Sequence, residues 1–213
     1  GQMNDGVPST EALRMTGATA QRKIAEWHAE AIGYKIRYVP CTIPDLLRIE
    51  EVSEYEFRAH EKDIQEAQDQ QVRKQLSHTS DQLPSAPTLE TDVEVCMPLQ
   101  TLELFYFGRG IWDGLSADIR VKQLEHIAQV LDQLYPTFRL FIYDQREIYS
   151  SPYTLFGPLR AAIYLGNMYM VVNSVEHIKA MSKHFDMLIR SATYSADRAV
   201  EYIEHLLAQD PGQ

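Results

Sequence analysis

Cysteine is scarce: Cys41 and Cys96 are the only two in 213 residues. A chain of this length can build its own apolar core, so the pair reads as free thiols rather than a disulfide staple. A reducing cytoplasm is the expected compartment. Long apolar runs are missing as well. None approaches the ~20 residues that cross a bilayer, so no membrane partner is expected. Residues 1–20 lack a basic start followed by an apolar block, so no secretion signal is expected there. Basic charge is in deficit, with 20 Lys and Arg against 30 Asp and Glu and a net charge of −10. An acidic chain repels phosphate and is by itself a poor nucleic-acid surface. Glycine and proline, ten of each, are too few for a collagenous or low-complexity chain.

Catalytic motifs are also missing. Gly108-Arg109-Gly110 lacks the later glycine and the strand–helix setting of a phosphate loop. There is no His-Glu-x-x-His and no Cys-x-x-Cys, so no metal is expected, zinc included. There is no Gly-x-Ser-x-Gly elbow. His177 and His184 share a helix face but lie seven apart, where a metal pair is more usually four apart. No cofactor follows, and the expectation is a protein that is not an enzyme. An enzymatic reading would have to rest on Asp113, Asp144 and His177, whose spacing supports no mechanism.

What is present is periodic. Residues 1–16 show no pattern and read as a mobile lead-in, with Gly1-Gln2 ahead of Met3 leaving the native start open. Ile24, Trp27, Ala31 and Ile32 repeat at helical steps within 17–36, with Gly33 and Pro40 as stops. Pro44 can open a second helix. Glu50 to Leu76 reads as one or two long acidic helices, so 17–76 is a helical segment and 77–92, with Pro84 and Pro87, a linker. Residues 93–107 could be strand or helix. Gly108, Gly110 and Gly114 mark a turn around Trp112, and Ser116 can cap a helix over 116–134. Strands are expected at Phe138–Tyr143, at Thr154–Leu165 with an irregularity at Gly157-Pro158, and at Met168–Asn173 beyond the Gly166-Asn167 pair. Helices are expected over 175–193, capped by Ser174, and over 196–208.

The order predicts an α+β fold: N-terminal helices, then a small, mainly antiparallel sheet of about three strands or more, flanked by helices. Residues 93–208 would form the α+β part, and 17–208 one compact unit. The second half is rich in aromatic rings interleaved with arginines. Tyrosines on a small sheet beside arginines could line a pocket for a planar or anionic molecule, or the rings could fill the core. The candidate ligand-binding residues are Arg109, Trp112, Arg139, Tyr143, Arg160, Tyr164 and Tyr169. The apolar faces of helices 116–134 and 175–193 are candidates for self-association. The acidic helix of 50–76, with Glu54, Glu61 and Asp63, is the candidate surface for a basic partner.

Two segments carry a resemblance. One runs from Trp27-x-Ala29 through Ile43-Pro44-Asp45-Leu46-Leu47-Arg48 and Tyr55 to Gln71-Val72-Arg73-Lys74-Gln75. The other holds Arg120-x-Lys122-Gln123-Leu124, the strands up to Tyr164 and Val171 and the helix ending Phe185-Asp186-Met187-Leu188-Ile189-Arg190-Ser191-Ala192. Their order resembles the C-terminal effector domain of bacterial helix-turn-helix transcriptional regulators of the xenobiotic-response-element class. Asp45 stands where that family's turn carries Gly, and Arg48-Ile49 where it carries Gln-Thr. The resemblance implies a sensor or partner-binding module, often a homodimer. It would respond to a small-molecule or protein effector and reach DNA only through a separate helix-turn-helix domain. It implies no catalytic residues. The competing reading is an oligomerisation or docking module without a pocket.

Overall fold

The computed structural model describes residues 9–14, 18–61, 91–165 and 168–212. Runs of β-branched and aromatic residues form one seven-stranded sheet. Its strands are β1 Thr10–Arg14, β2 Ile36–Val39, β3 Val93–Pro98, β4 Phe138–Tyr143, β5 Tyr153–Phe156, β6 Arg160–Tyr164 and β7 Met168–Val172. They lie in the order β1-β7-β6-β5-β2-β3-β4. β2, β3 and β4 are parallel, and every other pair is antiparallel. Among the described residues there are six α-helices: α1 Ala18–Glu30, α2 Glu50–Glu61, α3 Leu99–Tyr106, α4 Ala117–Leu134, α5 Val175–Arg190 and α6 Ala199–Leu207. A parallel pair needs a crossover, and α3 with α4 supplies it between β3 and β4. The fold is therefore α+β with helices flanking a mainly antiparallel sheet, and the sheet is larger than the expected minimum.

Period-two alternation splits the sheet into two faces. Ile36, Tyr38, Val93, Val95, Met97, Phe138, Leu140 and Ile142 point into the main core with residues of α1, α2, α3, α4 and α6. Val39, Cys96, Tyr143, Tyr153 and Leu155 point to the other face, where Ile178, Phe185 and Leu188 of α5 meet them. Each of these three side chains contributes about 1.5–3 kcal/mol through burial, as an upper estimate. The apolar faces of α4 and α5 are thus spent on the core: Leu124, Ile127 and Leu131 are buried in one, Ile178, Phe185 and Leu188 in the other. They are not available for the self-association that the sequence suggested.

Four local segments differ from the sequence reading. The helix expected to reach residue 36 ends at Glu30, because Gly33 takes a positive φ of 91° and the chain re-emerges as β2. The run Thr154–Leu165 is two strands, because Gly157, with φ of 53°, turns the chain between β5 and β6. Residues 10–14 of the expected lead-in form β1 and pair with β7. The segment opened by Pro44 is a single 3-10 turn, Asp45–Leu47, ahead of α2. The ambiguous stretch 93–107 is both strand and helix, β3 followed by α3. The linker at 77–90, the continuation of the acidic helix over 62–76 and the Gly166-Asn167 pair lie outside the described residues. No helix among the described residues is long and apolar enough to cross a membrane.

Candidate functional site

The register of the parallel strands puts three charged side chains in one row. Arg37 on β2 faces Glu94 on β3, and Glu94 faces Arg139 on β4. All three lie on the α5 side of the sheet, on alternation from the main-core residues beside them. Arg37 Nε donates to Glu94 Oε1 at 3.0 Å, and Arg139 Nη2 stands 3.3 Å from Glu94 Oε2. Lys35 Nζ reaches the same Oε1 at 3.5 Å. Glu94 is only 4% exposed, so its charge depends on these cations. α5 completes the cluster. Arg37 Nη1 donates to Ser182 Oγ at 3.3 Å, its Nη2 pairs with Asp186 Oδ1 at 3.0 Å, and its guanidinium lies 5.1 Å from the Phe185 ring centre. Burial works against the charge on Arg37, but Glu94 and then Asp186 hold its pKa above the ordinary arginine value.

Beside this row a groove of about 260 Å³ opens between the start of α5, β2, and the β5–β6 turn. Val175, Ile178, Lys179 and Ser182, at helical spacing, form its α5 wall. Tyr34, Lys35 and Arg37 form the opposite side, and Leu155, Gly157 and Pro158 the third. Gly157 is required here. A Cβ on it would come within 2.5 Å of Tyr34 Cβ, and its amide donates to Lys35 O at 3.0 Å, tying the two sides together. Ser174 fixes the start of α5, its Oγ accepting from His177 N at 3.4 Å. Lys179 makes no ion pair with any described residue, so the groove carries a cationic surplus in an acidic chain.

The residues singled out in the sequence sit elsewhere, and the sheet divides them. Arg139 and Tyr143 lie on the α5 side of β4. Tyr143 is fully buried, its hydroxyl has no hydrogen-bond partner among the described residues, and burial pushes its pKa up to about 12. Arg160 lies on the main-core face, bonded to Glu30 Oε2 at 2.7 Å and 5.3 Å from the Trp27 ring centre. Tyr164 and Tyr169 are register partners on β6 and β7, with ring centres 5.2 Å apart. Arg109 is exposed over Phe107, while Trp112 is buried between Tyr55 and Phe105. None of these residues lines the groove. Lys35, Arg37, Glu94, Lys179 and Ser182 escaped the sequence reading. The available signal was charge at alternating positions within apolar runs, in Ile36-Arg37-Tyr38-Val39 and Val93-Glu94-Val95.

The groups with strongly shifted titration are structural. Burial, then the Glu94 charge, pushes the Cys96 thiol far up, away from a reactive thiolate. Burial also raises Tyr153, whose hydroxyl donates to Met181 O at 3.2 Å. Side-chain and backbone bonds with Arg146, then a bond from Gln100, hold Asp144 below the carboxylate range as a paired anion. Asp113, Asp144 and His177 stand on separate elements: a 3-10 turn, the end of β4 and the start of α5. No cluster of three or more potential metal ligands occurs among the described residues.

The two segments that carry the sequence resemblance meet in space. Gln123 Oε1 accepts from Ile49 N at 2.9 Å, and its Nε2 donates to Leu47 O at 2.6 Å. Lys122 pairs with Glu51, and Arg48 with Asp45 and Glu56. Arg120, fully buried, donates to the carbonyls of Leu115, Tyr106 and Pro211. These motif residues join the Pro44 turn, α4 and the C-terminal tail. No protein-family model, curated protein or solved structure matches this chain.

Proposed function

We propose that this chain is the regulatory effector domain of a bacterial transcriptional regulator. It binds a signal molecule in the groove beside α5, acts as a homodimer, and controls a separate DNA-binding domain. The observation that carries this reading is the groove itself: Lys35, Arg37 and Lys179 concentrate positive charge in a chain of net charge −10. Arg37 bridges the groove to α5 through Ser182 and Asp186, so an occupant that engages it acts on the helix covering one face of the sheet. Occupancy shifts a conformational equilibrium only through unequal affinity for the two states. The shifted thiol and phenols are buried and poorly placed for chemistry, which favours binding over catalysis.

A second reading is a protein-docking module. Tyr34 and Val175, 47% and 61% exposed, stand at the groove and could meet an apolar partner segment. Native mass spectrometry of the purified protein separates the two. A dimer carrying extra mass that denaturation removes supports the signal-binding reading. A bare dimer favours docking. A bare monomer overturns the homodimer in both.

A further inference from the structure

The geometry points to the chemical class of the occupant: a small organic monoanion, a carboxylate on a compact apolar body. This inference deepens the signal-binding reading and rests on it. Charge comes first. In and beside the groove, Lys35, Arg37, Arg139 and Lys179 face the carboxylates of Glu94 and Asp186. Two positive charges are left over. Arg37 uses one N–H on each nitrogen for Glu94, Ser182 and Asp186, which leaves a donor on each terminal nitrogen. A guanidinium fork and a neighbouring ammonium can donate together to the two oxygens of a carboxylate.

The apolar residues of the same lining set the rest of the molecule. Leu155, Pro158, Val175 and Ile178 bring apolar surface to the same groove. An inorganic anion would leave that apolar surface against water. A neutral hydrocarbon would make no use of Lys179 or of the free Arg37 donors. Size closes the choice. A volume of about 260 Å³ lies below the usual range for drug-sized ligands. The class is that of short fatty acids and simple aromatic acids.

The test is calorimetric titration of the full chain at low ionic strength. The probes are hexanoate, benzoate, hexylamine, hexan-1-ol and inorganic phosphate. The carboxylates should bind at least tenfold more tightly than the amine, the alcohol or phosphate. Lys179→Gln and Lys35→Gln should each weaken hexanoate several-fold. Lys179 is exposed and makes no ion pair with any described residue, so Lys179→Gln should keep the parent's melting temperature. Amine or alcohol binding as tight as hexanoate, unmoved by Lys179→Gln, would overturn the anion while leaving a binding groove. Phosphate binding as tight as hexanoate would overturn the apolar half. Failure of every probe would also overturn the class. The native mass measurement then decides the broader reading separately, because removable mass on the purified protein would keep a signal site of other chemistry.

Discussion

His28 and Gly157 show how one residue is held by what surrounds it. The His28 ring meets the edge of Phe156 at 5.0 Å, and burial lowers its pKa from 6.5 to about 4. Between those values the unfolded chain takes up a proton that the native chain refuses. Stability therefore falls as pH drops through that window and levels off below it. The loss should be about 1–2 kcal/mol, discounted because the ring is partly exposed. Urea titrations from pH 7 to 4 should show it, and His28→Gln should flatten the profile in that range. An unchanged profile would place the acid sensitivity elsewhere. Gly157 is constrained by backbone and by space together, through its positive φ and the Tyr34 side chain against it. Gly157→Ala should cost about 1–3 kcal/mol in urea unfolding. A neutral effect would mean that the 31–35 turn can move away without loss.

At the scale of elements, the Arg37–Glu94–Arg139 row ties three strands to α5, and its central carboxylate carries the most weight. Glu94→Gln would leave the arginines facing each other beneath the helix. Removing one partner from a buried set typically costs about 3–5 kcal/mol, and the partial exposure of Arg37 and Arg139 puts this case at about 3. Replacing Glu94 and Arg37 together, by Leu and Met, should recover much of that loss in the same denaturation assay. Equal losses in the single and double variants would refute the charge argument. This row also marks the limit of what the sequence made legible. Long elements with a clean period were readable: β4 falls where alternation placed it, and α4 and α5 follow their apolar stripes to within a few residues. β2 spans only Ile36–Val39, too short for a period to stand out after a helical stretch. Its neighbours β3 and β5 come from distant parts of the chain, so the groove and the charge row exist only through strand order. The arginine–tyrosine set failed to converge for the same reason: which face each residue takes depends on a register that no local pattern encodes.

The whole molecule is asymmetric about its sheet. Among the described residues, one face packs against residues of five helices, while the other is covered by α5 through Ile178, Phe185 and Leu188. β3, buried along its full length, belongs to both cores. Such an arrangement gives α5 fewer contacts to lose than the interior strands, so it should open below the global unfolding free energy. That ordering suits a signal domain, in which the element touching the ligand must move without unfolding the rest. Native-state hydrogen exchange checks it directly. Amides of α5 should exchange at a lower free energy than those of β3 and α4. Phe185→Ala should cost about 3–5 kcal/mol by leaving a cavity under the helix, and it should speed α5 exchange more than α4 exchange. Equal protection of α5, α4 and β3, falling together in the variant, would make the chain one cooperative unit. A signal at the groove would then have to act by stabilising that unit as a whole, since α5 would have no separate open state to select.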